Sequence, residues 1–278
     1  MLIKIGYDIT FDFPEPVPVM FALYPHPSRV KYIRKEREVF VDPIVSIDKF
    51  NDIYGNTCGR ISAPAGKFRF GYDALIEDDG LPDPIVADAV QHDVADLPHE
   101  TLSFLLGSRY CEVDSELSDV AWNLFGNTPL GWPRVQAICD FVHGHLRFDY
   151  QQARATRTAL EGYKERVGVC RDFMHLAVTF CRCMNIPARY ATGFLGDIGV
   201  VVPPAPMDFS AWFEVFLGGR WHTFDARHNQ RRIGRVLMAT GRDAADVALT
   251  TTFGTNRLDK FVVWTDEVTN DGSSQNGD

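Results

Sequence analysis

The hydrophobic period changes along the chain, and this change constrains the fold more than any other feature. Residues 3–13 and 67–76 alternate apolar and polar side chains with a period of two, which indicates half-buried β-strands. From Leu117 onward the apolar residues recur instead at helical spacing and stop at Gly126, and Pro133 opens a second helical pattern. The sequence therefore predicts an α+β protein with a β-rich first part.

Changes in composition suggest where the domains begin and end. We expect an N-terminal antiparallel β-sandwich over residues 1–98, since short strand patterns there lie between turn-rich stretches and a proline-bearing segment follows. A second domain is expected over residues 99–265. Residues 266–278 end in the polar, glycine-rich run DGSSQNGD and predict a disordered tail.

The charge pattern argues against nucleic acid as a partner, and the lengths of the apolar runs argue against a membrane. The 278 residues carry a formal charge of −9 with acids and bases interspersed, so no basic stripe is available to follow a nucleic acid backbone. No run of about 18 apolar residues occurs, so no membrane-spanning helix is expected. The opening MLIKIGYDITFDF lacks the order of basic and apolar stretches that a secretory signal has.

The six cysteines lack the density and spacing of a disulfide framework. Cys181 and Cys183 fall in a helical pattern, where residues two apart point to different sides and do not chelate together easily. We expect a cytoplasmic protein with no cofactor and no metal. The sequence does not indicate an oligomeric state.

Cys170 stands at the front of an apolar helical pattern in the run GVCRDFMHLAVTF. Unpaired N–H groups and the dipole at a helix N-terminus favour an anion, so we expect a thiol pKa below the usual value of about 8.5. The same N–H groups can face an oxyanion on an attacked carbonyl. The alternative is a small buried hydrophobic residue without chemistry.

A second segment, MDFSAWFEVFLGGRWHTFDARHN, has two apolar runs around Gly218 and Gly219 and predicts a hairpin with a two-residue turn. In that register Ser210 and Asp225 are diagonal neighbours on one sheet face, about 7–8 Å apart. This separation suits a carboxylate that orients a group at position 210 toward a thiol on a facing helix.

The runs GVCRDF, DFSAWFEV and WHTFDARHN together resemble the transglutaminase-like superfamily, in its bacterial group of cysteine proteases. The front half is similar to the β-rich N-terminal domain of that group. The resemblance implies a papain-like cysteine-proteinase core and thiol-dependent acyl transfer or hydrolysis on a peptide, amide or protein substrate. It assigns the nucleophile to Cys170 and the orienting carboxylate to Asp225, whereas Ser210 stands where the family has its catalytic histidine.

The missing histidine matters because general-base assistance typically supplies about 10²- to 10⁴-fold in rate, and a serine hydroxyl cannot take a proton from a thiol near neutral pH. His228, just beyond the strand end, is the alternative base. His222 and His175 are expected to be structural, with His175 packed and hydrogen-bonded.

Trp212 and Arg227 are the candidate substrate-binding residues. Each also has a structural interpretation: Trp212 as part of the core, and Arg227 as an ion-pair partner of Asp225.

Three functions stay open at this point. The first is an active thiol enzyme, and the second is a catalytically impaired member that binds peptides or a partner protein. The third is a redox-sensing thiol, for which no resolving cysteine is evident, since Cys181 lies about 16 Å further along the same helix as Cys170.

Overall fold

The structure is a computed structural model that describes residues 1–200 and 207–268. Its strands are β1 (Leu2–Phe13), β2 (Val17–Phe21), β3 (Ile33–Asp42), β4 (Asp48–Asn51), β5 (Thr57–Ala63), β6 (Gly66–Glu77), β7 (Arg147–Phe148), β8 (Val167–Gly168), β9 (Ala188–Phe194), β10 (Ser210–Leu217), β11 (Arg220–Phe224), β12 (Val236–Gly241), β13 (Thr250–Thr252) and β14 (Arg257–Glu267). Its α-helices are α1 (Pro27–Val30), α2 (Leu117–Phe125), α3 (Trp132–His145), α4 (Ala159–Glu165) and α5 (Cys170–Cys183). Short 3₁₀ helices cover Val94–Asp96, His99–Leu105 and Tyr150–Gln152.

The N-terminal part is an antiparallel β-sandwich, as predicted. One sheet has the strand order β14-β1-β6-β3 and the other has the order β13-β2-β5-β4. The alternating residues of β1 and β6 place one set of side chains inward, where Tyr7 and Phe70 pack with Phe21 and Ile61 of the other sheet. The predicted strands at 3–13 and 67–76 pair with each other as β1 and β6.

The last two described strands return to this sandwich, a feature that the sequence analysis did not anticipate. Strand β14 pairs with β1, and Asp266 and Glu267, which were predicted to begin a disordered tail, lie opposite Lys4 and Ile3. Most β14 side chains are exposed, so its sequence carries little alternation and its place is set by hydrogen bonds to β1. Residues 269–278 of the predicted tail lie outside the described residues. The domain limits at 98 and 265 stay a prediction.

The remaining layer confirms the α+β class. A four-stranded sheet of order β11-β10-β9-β12 is covered by helices, and α5 contacts both β9 and β10 while packing against α2, α3 and α4. The helices predicted from Leu117 and Pro133 correspond to α2 and α3. Helix α5 is therefore the central element of this layer.

Two packed cores hold the fold together, one inside the sandwich and one around α5. All six cysteines are unpaired, and five of them are buried. Among the helices of residues 1–200 and 207–268, none has both the length and the hydrophobicity needed to cross a bilayer.

Candidate active site

Helix α5 begins at Cys170, as predicted, because its apolar face, which includes Phe173, starts there. The Asp172 carboxylate accepts a hydrogen bond from the backbone N–H of Val169 at 2.9 Å and caps the helix. It also accepts one from Nη1 of Arg157 at 3.0 Å, and the Asp172 residue is only 2% exposed. The first helical turn is thus fixed by a buried ion pair rather than by solvated charges.

The Cys170 side chain is partly buried where α5 meets the start of β10. Burial raises the pKa of its thiol to about 11; the charge of Arg227 lowers it, the carboxylate of Asp208 raises it, and the backbone N–H groups of Arg171 and Ala211 lower it. The predicted lowering of this pKa is therefore wrong in direction, because loss of hydration outweighs the groups that favour the thiolate. At neutral pH the side chain is a neutral thiol, and a nucleophilic role requires a proton acceptor.

The β10–β11 hairpin has the predicted register as far as its ladder extends, but the ladder stops before Asp225, so the diagonal placement of Ser210 and Asp225 stays a prediction. The turn glycines at 218–219 have positive φ angles of 55° and 82°, which a tight hairpin turn of this kind requires. The pairs run from Leu217 opposite Arg220 to Phe213 opposite Phe224. The ladder ends at Phe224, so the residues on either side of position 225 are free to turn toward other elements.

Ser210 is the first residue of β10. Ala211 and Phe213 pack into the core around α5, so by alternation Ser210 shares the opposite sheet face with Trp212. Its Oγ atom is buried and has no hydrogen-bond partner among the described residues. What lies against the Cys170 sulfur is the backbone N–H of the next residue, Ala211, so position 210 is adjacent to the thiol although its hydroxyl is unpartnered.

Asp225 follows the last residue of β11 and is 7% exposed. Its Oδ1 accepts the backbone N–H groups of Arg227 and His228 at 3.1 and 3.0 Å. Its Oδ2 lies 2.8 Å from Nδ1 of His228 and accepts Nη2 of Arg235 at 2.9 Å. Burial alone would raise the pKa of this carboxyl, but the Arg235 charge and the bonds to His228 hold it well below its usual range. The carboxylate is ionised and fully engaged by these partners, none of which is at position 210.

The three histidines considered as substitutes lie in different environments. His175 is fully buried, and its Nε2 accepts the backbone N–H of Ala244 at 3.2 Å, which confirms a packed, hydrogen-bonded residue. His222 is also buried and contacts the carbonyl of Leu217 through Nε2 at 3.1 Å. His228 alone of the three is bonded to the Asp225 carboxylate, with its side chain 16% exposed.

Trp212 is almost completely buried, with 1% exposed surface. The guanidinium of Arg235 lies 5.2 Å from the centre of its ring. Trp212, Glu214 and Thr223 line a cavity of about 550 Å³ on the sheet face opposite α5. Its environment is therefore that of a core residue at the wall of this cavity.

Arg227 does not form a side-chain ion pair with Asp225, so that interpretation was wrong. The guanidinium that bonds Asp225 comes from Arg235. The hairpin register could not indicate this pair, because Arg235 lies outside the hairpin, directly before β12. Arg227 is half-buried, and its guanidinium carbon lies 4.0 Å from the centre of the Phe148 ring. It belongs to the surroundings of Cys170.

Two residues near Cys170 were not identified from the sequence. Burial raises the pKa of the Asp208 carboxyl, although Arg227 and the N–H of Phe209 lower it. Burial, Asp208 and Cys170 raise the pKa of Tyr150, whereas Arg227 lowers it. Asp208 lies inside the DFSAWFEV run and could have been noted there, but Tyr150 lies in a 3₁₀ helix with no signal in its sequence.

Comparison with known proteins identifies the family of this chain. Residues 123–226 match the family model described as the transglutaminase-like superfamily. The crystal structure of "a Putative Cysteine Protease from Cytophaga hutchinsonii" is 31% identical, with a TM-score of 0.80 over 100% of this chain and 92% of that chain.

A sequence relative gives a shorter match. The "Uncharacterized protein ML0607" of Mycobacterium leprae (strain TN) is 33% identical over 93 residues. That alignment covers 33% of this chain and spans only 33% of the relative's own length. The full-length likeness to the Cytophaga structure and the family match over the segment that holds Cys170, Ser210 and Asp225 show that the chain belongs to the transglutaminase-like superfamily.

Proposed function

We propose that the chain performs thiol-dependent acyl transfer or hydrolysis on peptide or amide substrates, with Cys170 as the nucleophile. The observation that carries the proposal is the setting of Cys170, a half-buried residue at the start of α5 whose sulfur lies beside the backbone N–H groups of Arg171 and Ala211. Such N–H groups stabilise negative charge at the reacting centre. The acylating substrate is a peptide or protein, and the acyl acceptor is water or an amine.

The chemistry proceeds in two halves. The Cys170 sulfur attacks the carbonyl carbon while its proton passes to a base, and the oxyanion that forms collapses to a thioester as the amine leaves with a proton. Water or a second amine then attacks the thioester, loses a proton to the same base, and releases the sulfur as a thiol. Both halves need a group that accepts and returns a proton.

We assign that proton acceptor to Asp208. The Ser210 hydroxyl is too weak a base. The charge of the Asp208 carboxylate, in contrast, raises the pKa of both Cys170 and Tyr150. Burial raises its pKa, which makes its carboxylate a stronger base than a solvated one. His228 is the second candidate, because Asp225 holds its Nδ1 and leaves Nε2 for proton transfer.

A second function has its own support. Position 210 carries no imidazole, and the Asp225 carboxylate is engaged by Arg235 and His228. Both features favour a catalytically impaired member of the superfamily that keeps the surface around Cys170 for binding peptides or a partner protein. Under either function, six unpaired cysteines support a reducing compartment, and we propose the cytoplasm.

Asp208→Asn separates these possibilities because it should change two rates in opposite directions. Loss of the negative charge lowers the thiol pKa of Cys170, so alkylation by iodoacetamide at neutral pH should become faster. Loss of the base should slow steady-state hydrolysis of p-nitrophenyl acetate by about 10²-fold and leave the acyl-enzyme to accumulate. Stopped-flow absorbance and intact-protein mass spectrometry measure the two effects.

His228→Gln is the matched control and should leave both rates close to those of the parent. If His228→Gln slows deacylation and Asp208→Asn does not, the base is His228. Cys170→Ala should lose the labelled thiol and the acyl-enzyme together. A parent protein that forms no acyl-enzyme with the activated ester would refute the enzyme and support the binding module.

A further inference from the structure

Arg227 contacts neighbouring residues through its backbone carbonyl and the face of its side chain, yet its guanidinium N–H groups are not used in hydrogen bonds to the described residues. The imidazole Nδ1 of His143 lies 2.8 Å from the carbonyl of Arg227 and fixes the backbone. The guanidinium lies over the Phe148 ring, with its carbon 4.0 Å from the ring centre. Among the described residues, no side-chain hydrogen bond or ion pair is formed by this guanidinium.

The neighbouring acids do not neutralise it. Asp225 is bonded by Arg235, and it reaches Arg227 only through the backbone N–H. The charge of Arg227 lowers the pKa of Asp208, but the two side chains form no ion pair within the described part of the chain. A planar guanidinium with free N–H groups is the side chain best suited to bind a carboxylate with two parallel hydrogen bonds.

The free guanidinium also lies near the start of α5, since Phe148, over whose ring it stands, pairs with Gly168, two residues before Cys170, and has its ring centre 4.9 Å from that of Tyr150. Arg227 is the charged side chain that most favours the Cys170 thiolate, and it acts on Tyr150 and Asp208 as well. Strand pairing and ring contacts therefore place Arg227 and Tyr150 near the start of α5, where Cys170 lies, and the Asp208 charge acts on all three. A substrate whose carbonyl reaches the sulfur would bring its adjoining groups within reach of Arg227.

We propose that Arg227 binds a carboxylate of the substrate, so that the protein acts on acyl groups carrying an acidic group next to the reactive carbonyl, such as acidic peptides. This inference rests on the proposed function, since it names the substrate class for the same site. The alternative is that Arg227 only stabilises the thiolate by its charge.

Paired alkylating agents test the inference without any turnover. Iodoacetate and iodoacetamide deliver the same carbon with the same leaving group, but only iodoacetate carries a carboxylate. Both react with the thiolate, so the ratio of their rate constants does not depend on the thiol pKa. We expect this ratio for Cys170 to exceed that of N-acetylcysteine by about tenfold, as a charge-assisted contact would give.

Arg227→Gln should return the ratio to the N-acetylcysteine value, and Arg227→Lys should retain part of the preference. Arg171→Gln is the matched control, because it also removes a positive charge near the sulfur. The Arg171 guanidinium already donates hydrogen bonds to the backbone carbonyl of Arg154 and to the carboxylate of Asp172. A ratio that is unchanged in Arg227→Gln, or that falls equally in Arg171→Gln, overturns the proposal. Because alkylation requires no catalysis, a preserved preference in a protein without turnover would refute the proposed enzyme and leave the carboxylate contact standing.

Discussion

Ser210→His is expected to increase the rate of acyl transfer by about 10²- to 10⁴-fold, the usual contribution of a positioned general base. The superfamily resemblance places the catalytic histidine at position 210, and the backbone N–H of the next residue, Ala211, lies against the Cys170 sulfur, so we expect an imidazole at this first residue of β10 to come within reach of the thiol. It should also lower the thiol pKa by forming a thiolate–imidazolium pair. The rate of iodoacetamide labelling against pH and the steady-state hydrolysis of a p-nitrophenyl ester measure the two consequences.

Two companion variants make this result interpretable. Ser210→Asn introduces a side chain of comparable size without a base and should give no gain, which controls for disturbance of a buried position. His228→Ala combined with Ser210→His should exceed the single variant, because it removes the imidazole bonded to Oδ2 of Asp225 and leaves that oxygen, which keeps its bond to Arg235, able to accept a hydrogen bond from the new imidazole. A parent as active as Ser210→His would show that position 210 is not where the proton is taken.

Asp225→Ala should lower the free energy of unfolding by about 3 kcal/mol, the lower end of the usual cost of breaking a buried ion pair, because Arg235 keeps a second carboxylate partner. The carboxylate accepts from Arg235 at 2.9 Å, and its side chain and that of Arg235 are only 3% and 7% exposed. Removal leaves the Arg235 charge with Asp83 as its remaining partner and removes the cap on the backbone at 227 and 228. Urea denaturation followed by circular dichroism measures the change.

The same carboxyl should make stability depend on pH in the acid range. Its folded-state pKa is depressed below the unfolded value of about 3.9, so its contribution is fully present above that value and is lost as the pH falls through the folded pKa. Asp225→Asn should therefore show a shallower loss of stability below about pH 4 than the parent does. Asp48→Ala, which breaks an exposed pair with Arg60, should cost less than about 1 kcal/mol. Equal effects of Asp225→Ala and Asp48→Ala would contradict a buried network.

Much of the fold was predictable because it depends on neighbours a few residues apart. One buried face gives β1 and β6 their period of two, and the two glycines at 218–219 set the register of the β10–β11 hairpin. Strand β14 was missed because most of its side chains are exposed and its partner, β1, lies at the other end of the chain.

The features of the site were likewise predictable only in part. The sequence by itself determined that Cys170 begins a helix, that Ser210 lies at the start of the hairpin's first strand and that Asp225 follows its second. Only the tertiary structure decided the protonation of the thiol, the proximity of Asp208 and Tyr150, and the engagement of Asp225 by Arg235. Periodicity is a local property, whereas the pKa of a buried group sums burial and charges from distant parts of the chain; Arg235, for example, also bonds Asp83, 152 positions away.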